Sequence, residues 1–288
     1  MPELPEVETI RRIVERELRG LTLIRADLTL PKLLRDSPLP TLEPIVGRTV
    51  LAADRRAKVL ITHWSGDLSL LTHFKLAGQL AVVKPDGQRR VAGHPVPDPE
   101  GAYPHKATHL TLGFDDGTLV YYSDIRQFGW WRLMPTDAVA AALEVFQFGP
   151  EGTGGAGLDR DDLGQRLGRR SIAIKPVLLD QRVVAGLGNI YVDEALHRAR
   201  VHPARPANSL TPSELTALHE AIGWALDRGI DQGGAAIRRG KAFSRDGFPA
   251  VHARKDEPCN VCGRPIVKIQ LAGRGTYYCP HCQPDPLT

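Results

Sequence analysis

Apolar residues recur at spacings of three and four near the start of the chain and at alternate positions after it. Val7, Ile10, Ile13, Val14 and Leu18 fall on one helical face, Pro5 suits the first turn, and Gly20 is a stop signal, which predicts a helix over 5–19. From 21 to about 134 the pattern turns to strands: LTLIRADLTL, KVLITHW, LSLLTHFKLAGQLAVV and HLTLGFDDGTLVYY. The last carries Asp116-Gly117 between alternating apolar positions, a hairpin signal. Short strands in succession predict an antiparallel sandwich or barrel. FGPEGTGGAGL (148–158) has linker composition, and helices dominate from there to about 230. Thr211, Pro212 and Glu214 mark one helix start as N-cap, first-turn proline and capping box.

The expected organisation is α+β and multidomain. A leading helix and antiparallel β-sandwich occupy 1–134, a hinge 135–158, a helical domain 159–250 and a cysteine-bearing module 251–288. Charge sharpens the last part. The chain has a net charge of +4, and nine Lys/Arg against four Asp/Glu from Gln232 onward leave the rest near neutral. A basic tail on a neutral body points to a polyanion or to a solvated basic face. The acidic first residues do not resemble a signal peptide, and no apolar run reaches the ~18 residues of a membrane span. A cytoplasmic location is the expectation.

All four cysteines lie in two Cys-x-x-Cys knuckles, Cys259/Cys262 and Cys279/Cys282, separated by sixteen residues. Each knuckle can offer two thiolates to one tetrahedral ion, and the spacer suits a β-hairpin, so one structural zinc is expected. That hairpin places Arg274 between Gly273 and Gly275. VVAGLGNIYVDEAL (183–196) reads as an apolar helix, a turn with Gly186 and Gly188, and a helix from Asn189. Such a helix start suits a phosphate, although the same turn occurs without ligands. In RRAKVL, Lys58 stands where a lysine is ordinarily solvated. In SDIRQFGWW, Arg126 and Phe128 would pair a cation with an exposed ring if the segment is a loop; otherwise Phe128 belongs to a core.

The N-terminal MPELPEVE has its own chemistry. Removal of Met1 makes Pro2 a terminal secondary amine, partly neutral at pH 7 and able to attack an aldehyde-like carbon. The resulting iminium has no N–H proton to lose and favours elimination β to it, with Glu3 adjacent for proton transfer.

Taken together, MPELPEVET, RRAK, DQRVVAGLGNIYVDEAL, QGGAAIR and CNVC…GRGTYYCPHCQ resemble formamidopyrimidine-DNA glycosylase, the bifunctional base-excision family that includes endonuclease VIII. The likeness runs end to end. It implies a monomeric DNA glycosylase and AP lyase that flips an oxidised purine (8-oxoguanine or a formamidopyrimidine) out of double-stranded DNA, with one zinc and no organic cofactor. By matching positions, Pro2 is the nucleophile, Glu3 the acid/base and Glu6 a supporting carboxylate. Lys58 assists β-elimination, and Arg274 serves δ-elimination and phosphate binding. Asn189 matches a phosphate ligand, Arg126 and Phe128 the pair that fills the vacated base site, and Arg170 a further DNA contact.

Three departures stand out. HFKLAG opens on His73, which the resemblance makes a DNA-binding position, and puts Leu76, the expected wedge, where a methionine is usual and Lys75 where a glycine is. KATH puts Ala107 where the family has a DNA-binding histidine, with His105 nearby. The segment between Arg238 and Cys259, which caps the flipped purine in the family, is short. An endonuclease VIII-like preference for other lesions is therefore the alternative, and a non-catalytic zinc-finger DNA binder the remote one.

Overall fold

The computed structural model describes residues 1–153, 157–238, 241–244 and 246–285, in two compact units, 1–145 and 146–288. The first opens with helix α1 (Leu4–Leu18) and continues into two antiparallel sheets. Strands β1 (Leu23–Leu28), β2 (Val50–Arg56), β3 (Val59–Trp64), β4 (Leu68–His73), β5 (Gly78–Val83), β6 (Arg89–Gly93), β7 (Thr108–Phe114), β8 (Leu119–Asp124) and β9 (Trp130–Pro135) follow in order. One sheet runs β1-β7-β8-β5-β6, the other β2-β3-β4-β9. The apolar stripe of α1 (Val7, Ile10, Val14, Leu18) joins Trp64, Phe74, Phe114 and Tyr122 in one core, as its period requires.

The Asp116-Gly117 turn joins β7 to β8 as expected. Gly117 has φ +84°, and the Asp116 carboxylate accepts from the Thr118 N–H and hydroxyl, both at 2.8 Å. After β9, helix α2 (Val139–Glu144) closes the unit.

The second unit begins at Phe146, just ahead of the glycine-rich stretch, which belongs to it. Gly149 N–H donates to the Gln181 carbonyl, and Glu151 bridges to Ala185. Of the remaining linker, 154–156 lie outside the described residues. Helices α3 (Arg160–Gly168), α4 (Ile174–Leu179), α5 (Asn189–Arg198) and α6 (Pro212–Asp231) follow, α6 with the capping box expected at Thr211 and Glu214. A ribbon of β10 (Ile237–Arg238) and β11 (Lys241–Ala242) and a hairpin of β12 (Val267–Leu271) and β13 (Arg274–Tyr278) complete the unit. Among the described residues no helix is long and apolar enough to cross a membrane.

One expectation needs correction. The apolar run Val183–Ala185 is not the first helix of the helix–turn–helix; α4 is, and 183–185 lie buried in the turns between. The cause is Gln181. Its side-chain amide donates to the Leu179 and Leu187 carbonyls and its oxygen accepts from Gly186 N–H, so the chain satisfies its polar groups without helical bonds. Gly186 takes φ +86° to allow this.

Helix α5 is buried at every position from Tyr191 to His197, and at Gly229 on α6 a Cβ would meet the Tyr191 ring at 2.4 Å. A helix enclosed this way needs internal partners for its charges. Asp193 Oδ1 lies 2.7 Å from Lys175 Nζ, both side chains without solvent exposure, and Asp193 Oδ2 lies 2.7 Å from His252 Nδ1. Removing one member of a buried pair strands the other charge. Lys175→Ala is expected to destabilise the full chain by about 3–5 kcal/mol in urea denaturation; a loss below about 1 kcal/mol would show that His252 suffices.

Candidate active site and metal centre

The chain's amino end is folded into the first unit. Glu3 is the N-cap of α1 and forms a capping box with Glu6: Glu3 N–H donates to Glu6 Oε2 at 2.9 Å, and the Glu3 side chain faces the Glu6 N–H. Pro2, Glu3 and Glu6 are all buried. The positive end of the helix lies beside both carboxylates. His94, which sequence reasoning did not single out, lies within electrostatic reach of the amino terminus. Burial chiefly, with that terminal charge, lowers its pKa.

Lys58 is buried at 7% exposure, not solvated, in the turn between β2 and β3, where Ala57 takes φ +52°. Val59 of β3 pairs with His73 of β4, so Lys58 and His73 are close. Burial first, then the charges of Lys75 and Lys58, lower the His73 pKa to about 3. Its Nδ1 accepts the Lys75 N–H at 2.9 Å, and its ring lies 5.5 Å from that of Trp130. Lys75 has φ +49°, a conformation that suits glycine better. Leu76 beside it is half-buried.

Residues 125–129 form a loop, and this decides the reading of Phe128. The ring is 49% exposed, and the Arg126 guanidinium lies 5.3 Å from its centroid. Asp124, fully buried, organises the loop by accepting the N–H groups of Arg126, Phe128 and Gly129 at 3.0, 3.0 and 2.8 Å. A Cβ at residue 129 would overlap the Tyr122 hydroxyl, so only glycine fits. Asp124 escaped sequence reasoning because its role depends on backbone geometry that the motif does not reveal. His105 is engaged within its own unit: Nδ1 accepts the Ala107 N–H and Nε2 meets the Ser123 hydroxyl.

In the second unit, Asn189 Nδ2 donates to the Gly275 carbonyl at 3.0 Å, and Lys175 Nζ donates to the same oxygen at 3.1 Å. The two bonds fix the hairpin beside Arg274, which is exposed. The Asn189 Oδ1 atom is buried without a hydrogen-bond partner among the described residues. Arg170, just past α3, is exposed.

The four cysteine sulfurs all lie within 4.8 Å of one another, with Cys259–Cys282 at 3.9 Å and Cys262–Cys279 at 3.5 Å. A tetrahedral ion with Zn–S near 2.3 Å requires S···S of about 3.8 Å, so the donor set fits one structural zinc. Burial, followed by hydrogen bonding with the other thiols, pushes the Cys282 thiol well up. A bound dication reverses that preference and holds the group as a thiolate. With four sulfurs the shell is closed, and the ion's part is to fold the module.

Three family models match in order: the formamidopyrimidine-DNA glycosylase N-terminal domain over residues 1–131, its H2TH domain over 149–240, and the zinc finger found in FPG and IleRS over 256–284. The formamidopyrimidine-DNA glycosylase of Pelotomaculum thermopropionicum is 39% identical over 98% of this chain and 99% of its own. The chain belongs to the formamidopyrimidine-DNA glycosylase family. Among solved structures, the Lactococcus lactis glycosylase in complex with DNA containing N7-benzyl-Fapy-dG superposes with a TM-score of 0.85 at 36% identity, covering 99% of this chain and 100% of that one. Its complex with DNA containing an abasic site gives 0.86 at 35% identity over the same shares.

The half-buried imidazole of His73 makes a testable pH dependence. Its folded pKa lies below the ~6.5 of the unfolded chain, so the unfolded state binds more protons between about pH 6.5 and 3. Stability from this group is present above pH 6.5 and is lost as pH falls through that window, by up to ~1.4 kcal/mol per unit. Denaturation of His73→Asn, which keeps an acceptor near Nδ1, should show a shallower acid slope; an unchanged slope would contradict the assignment.

Proposed function

We propose that this formamidopyrimidine-DNA glycosylase family member removes oxidised purines from double-stranded DNA and then cleaves the abasic strand, working in base-excision repair in the cytoplasm, on nucleoid DNA. The observation that carries the reading is the mount of the amino end. Chain termini ordinarily fray, yet here the Glu3–Glu6 capping box holds the residue after Pro2 against the domain. After loss of Met1, the Pro2 nitrogen attacks C1′ of the flipped nucleotide and the base departs with its bonding electrons. Glu3, one residue away, supplies the proton transfers at the sugar. The C1′–O4′ bond then breaks, O4′ taking a proton from Glu3 and the Pro2 nitrogen giving up its N–H proton, which leaves an open-chain iminium. A base removes the C2′ proton, and the electrons freed expel the 3′ phosphate with the C3′–O bonding pair. Glu6 positions Glu3.

Lys58 assists this elimination as a buried cation. His73, neutral over the working pH range, and Leu76 take the places where strand contacts and the wedge are expected. Arg126 and Phe128 fill the vacated base site, because a cation and an exposed ring on an Asp124-organised loop can replace hydrogen bonding and stacking together. Asn189, Arg170 and Arg274 bind phosphates, and Arg274 also serves δ-elimination. Cys259, Cys262, Cys279 and Cys282 would hold the zinc that supports the Arg274 hairpin.

Borohydride trapping on abasic-site duplex tests the chemistry. The mature protein should cross-link, whereas Pro2→Gly should trap far less and a variant that retains Met1 should not trap. Equal trapping by the retained-Met1 form would remove Pro2 as the nucleophile. Lesion choice is a separate matter, because the short segment before Cys259 includes 239, 240 and 245, which lie outside the described residues. Excision of 8-oxoguanine should exceed that of thymine glycol; the reverse would support the endonuclease VIII-like alternative.

A further inference from the structure

The zinc module is seated on the C-terminal half of α5. Gln283, buried, accepts the Cys279 N–H at 3.0 Å and donates to the Val201 carbonyl at 2.9 Å, just past the helix. His202 and Tyr278 meet edge-on at 4.8 Å. One contact goes to a sulfur itself. His197, on the last turn of α5 and 6% exposed, places Nε2 at 3.4 Å from Cys259 Sγ, within hydrogen-bonding range for sulfur. Cys259 is itself only 3% exposed, so little water reaches this thiolate. A pocket of about 310 Å³, lined by His197, Trp224, Asn260 and Cys282 among others, opens beside the contact.

We propose that His197 is part of the metal centre: its Nε2–H donates to the zinc-bound Cys259 thiolate. Four thiolates around one dication leave a net charge of −2 in a poorly hydrated site, and an N–H aimed at one sulfur spreads that charge and fixes the sulfur's direction. This is how groups behind the ligands ordinarily hold a metal, and losing one typically costs 10–100-fold in affinity. The bond also ties the metal to α5, the helix whose first residue, Asn189, pins the Arg274 hairpin. The proposal rests on the four cysteines binding zinc.

The direct test uses the full-length protein with cadmium-113 in place of zinc. The His197 Nε2–H proton should be in slow exchange and show scalar coupling to the metal through Cys259; a bound metal with no such coupling overturns the proposal. Binding of no metal at all would overturn the centre and the proposal together. Variants then give the size of the effect. Zinc release to a chelator should be about tenfold or more faster in His197→Phe, which keeps a ring without a donor, and close to wild type in His197→Gln, whose amide nitrogen can take the place of Nε2. In the cobalt-substituted proteins the sulfur-to-metal band should shift to lower energy in His197→Phe alone. Equal release and equal spectra in wild type and both variants would overturn it, as would equal loss in the two variants.

Discussion

A carboxylate taken out of water must recover several hydrogen bonds or neutralise itself, and this chain uses that requirement to shape its irregular segments. Asp124 gathers three N–H groups and turns 125–129 into a loop of one shape. Glu194, on α5, gathers the N–H groups of Ala250, Val251 and His252 at 2.6, 3.0 and 2.8 Å. Burial there outweighs the three bonds and raises the Glu194 pKa. Asp193 next to it takes Lys175, His252 and the Tyr277 N–H. Glu6 does the same on a smaller scale for Glu3 at the amino end. Segments without regular secondary structure thereby acquire fixed backbones, which a site built on loops requires.

Helix α5 shows how far one element can carry this. From its first turn to just past its last, it is bonded to Gly275, Tyr277, 250–252, Cys259 and Gln283. The zinc module has a small apolar cluster, Val251, Cys259, Ile266 and Cys279, too little to hold a hairpin alone. Metal ligation and docking on α5 supply the rest. The exposed Arg274 is thus held by buried polar bonds at its neighbours, which leaves its own guanidinium available.

Much of this organisation was legible in the residues. The period of α1, the alternation in the sandwich, the Asp116-Gly117 turn and the Thr211 capping box are local signals, and each is set by chain geometry within a few residues. The two Cys-x-x-Cys knuckles were equally legible, because ligand spacing is a local property and four thiolates have few other uses. The misplaced first helix of the helix–turn–helix shows the limit. Val183, Val184 and Ala185 are apolar because they are buried, and burial alone does not distinguish a helix from a turn whose polar groups Gln181 satisfies.

The sequence by itself determined the class of the fold and the metal ligands, and it raised the chemistry proposed for Pro2 and Glu3, since each is read from residue type and short-range spacing. Only the tertiary structure decided which ambiguous side chains face solvent and which are enclosed. Phe128 is exposed because Asp124 and the tight fit at Gly129 turn its loop outward. Lys58 is buried because it lies in a turn whose following strand pairs with β4. His197 meets Cys259 across sixty-two positions of sequence. Such outcomes depend on partners distant in the chain, and side-chain identity alone does not say which of them will be near.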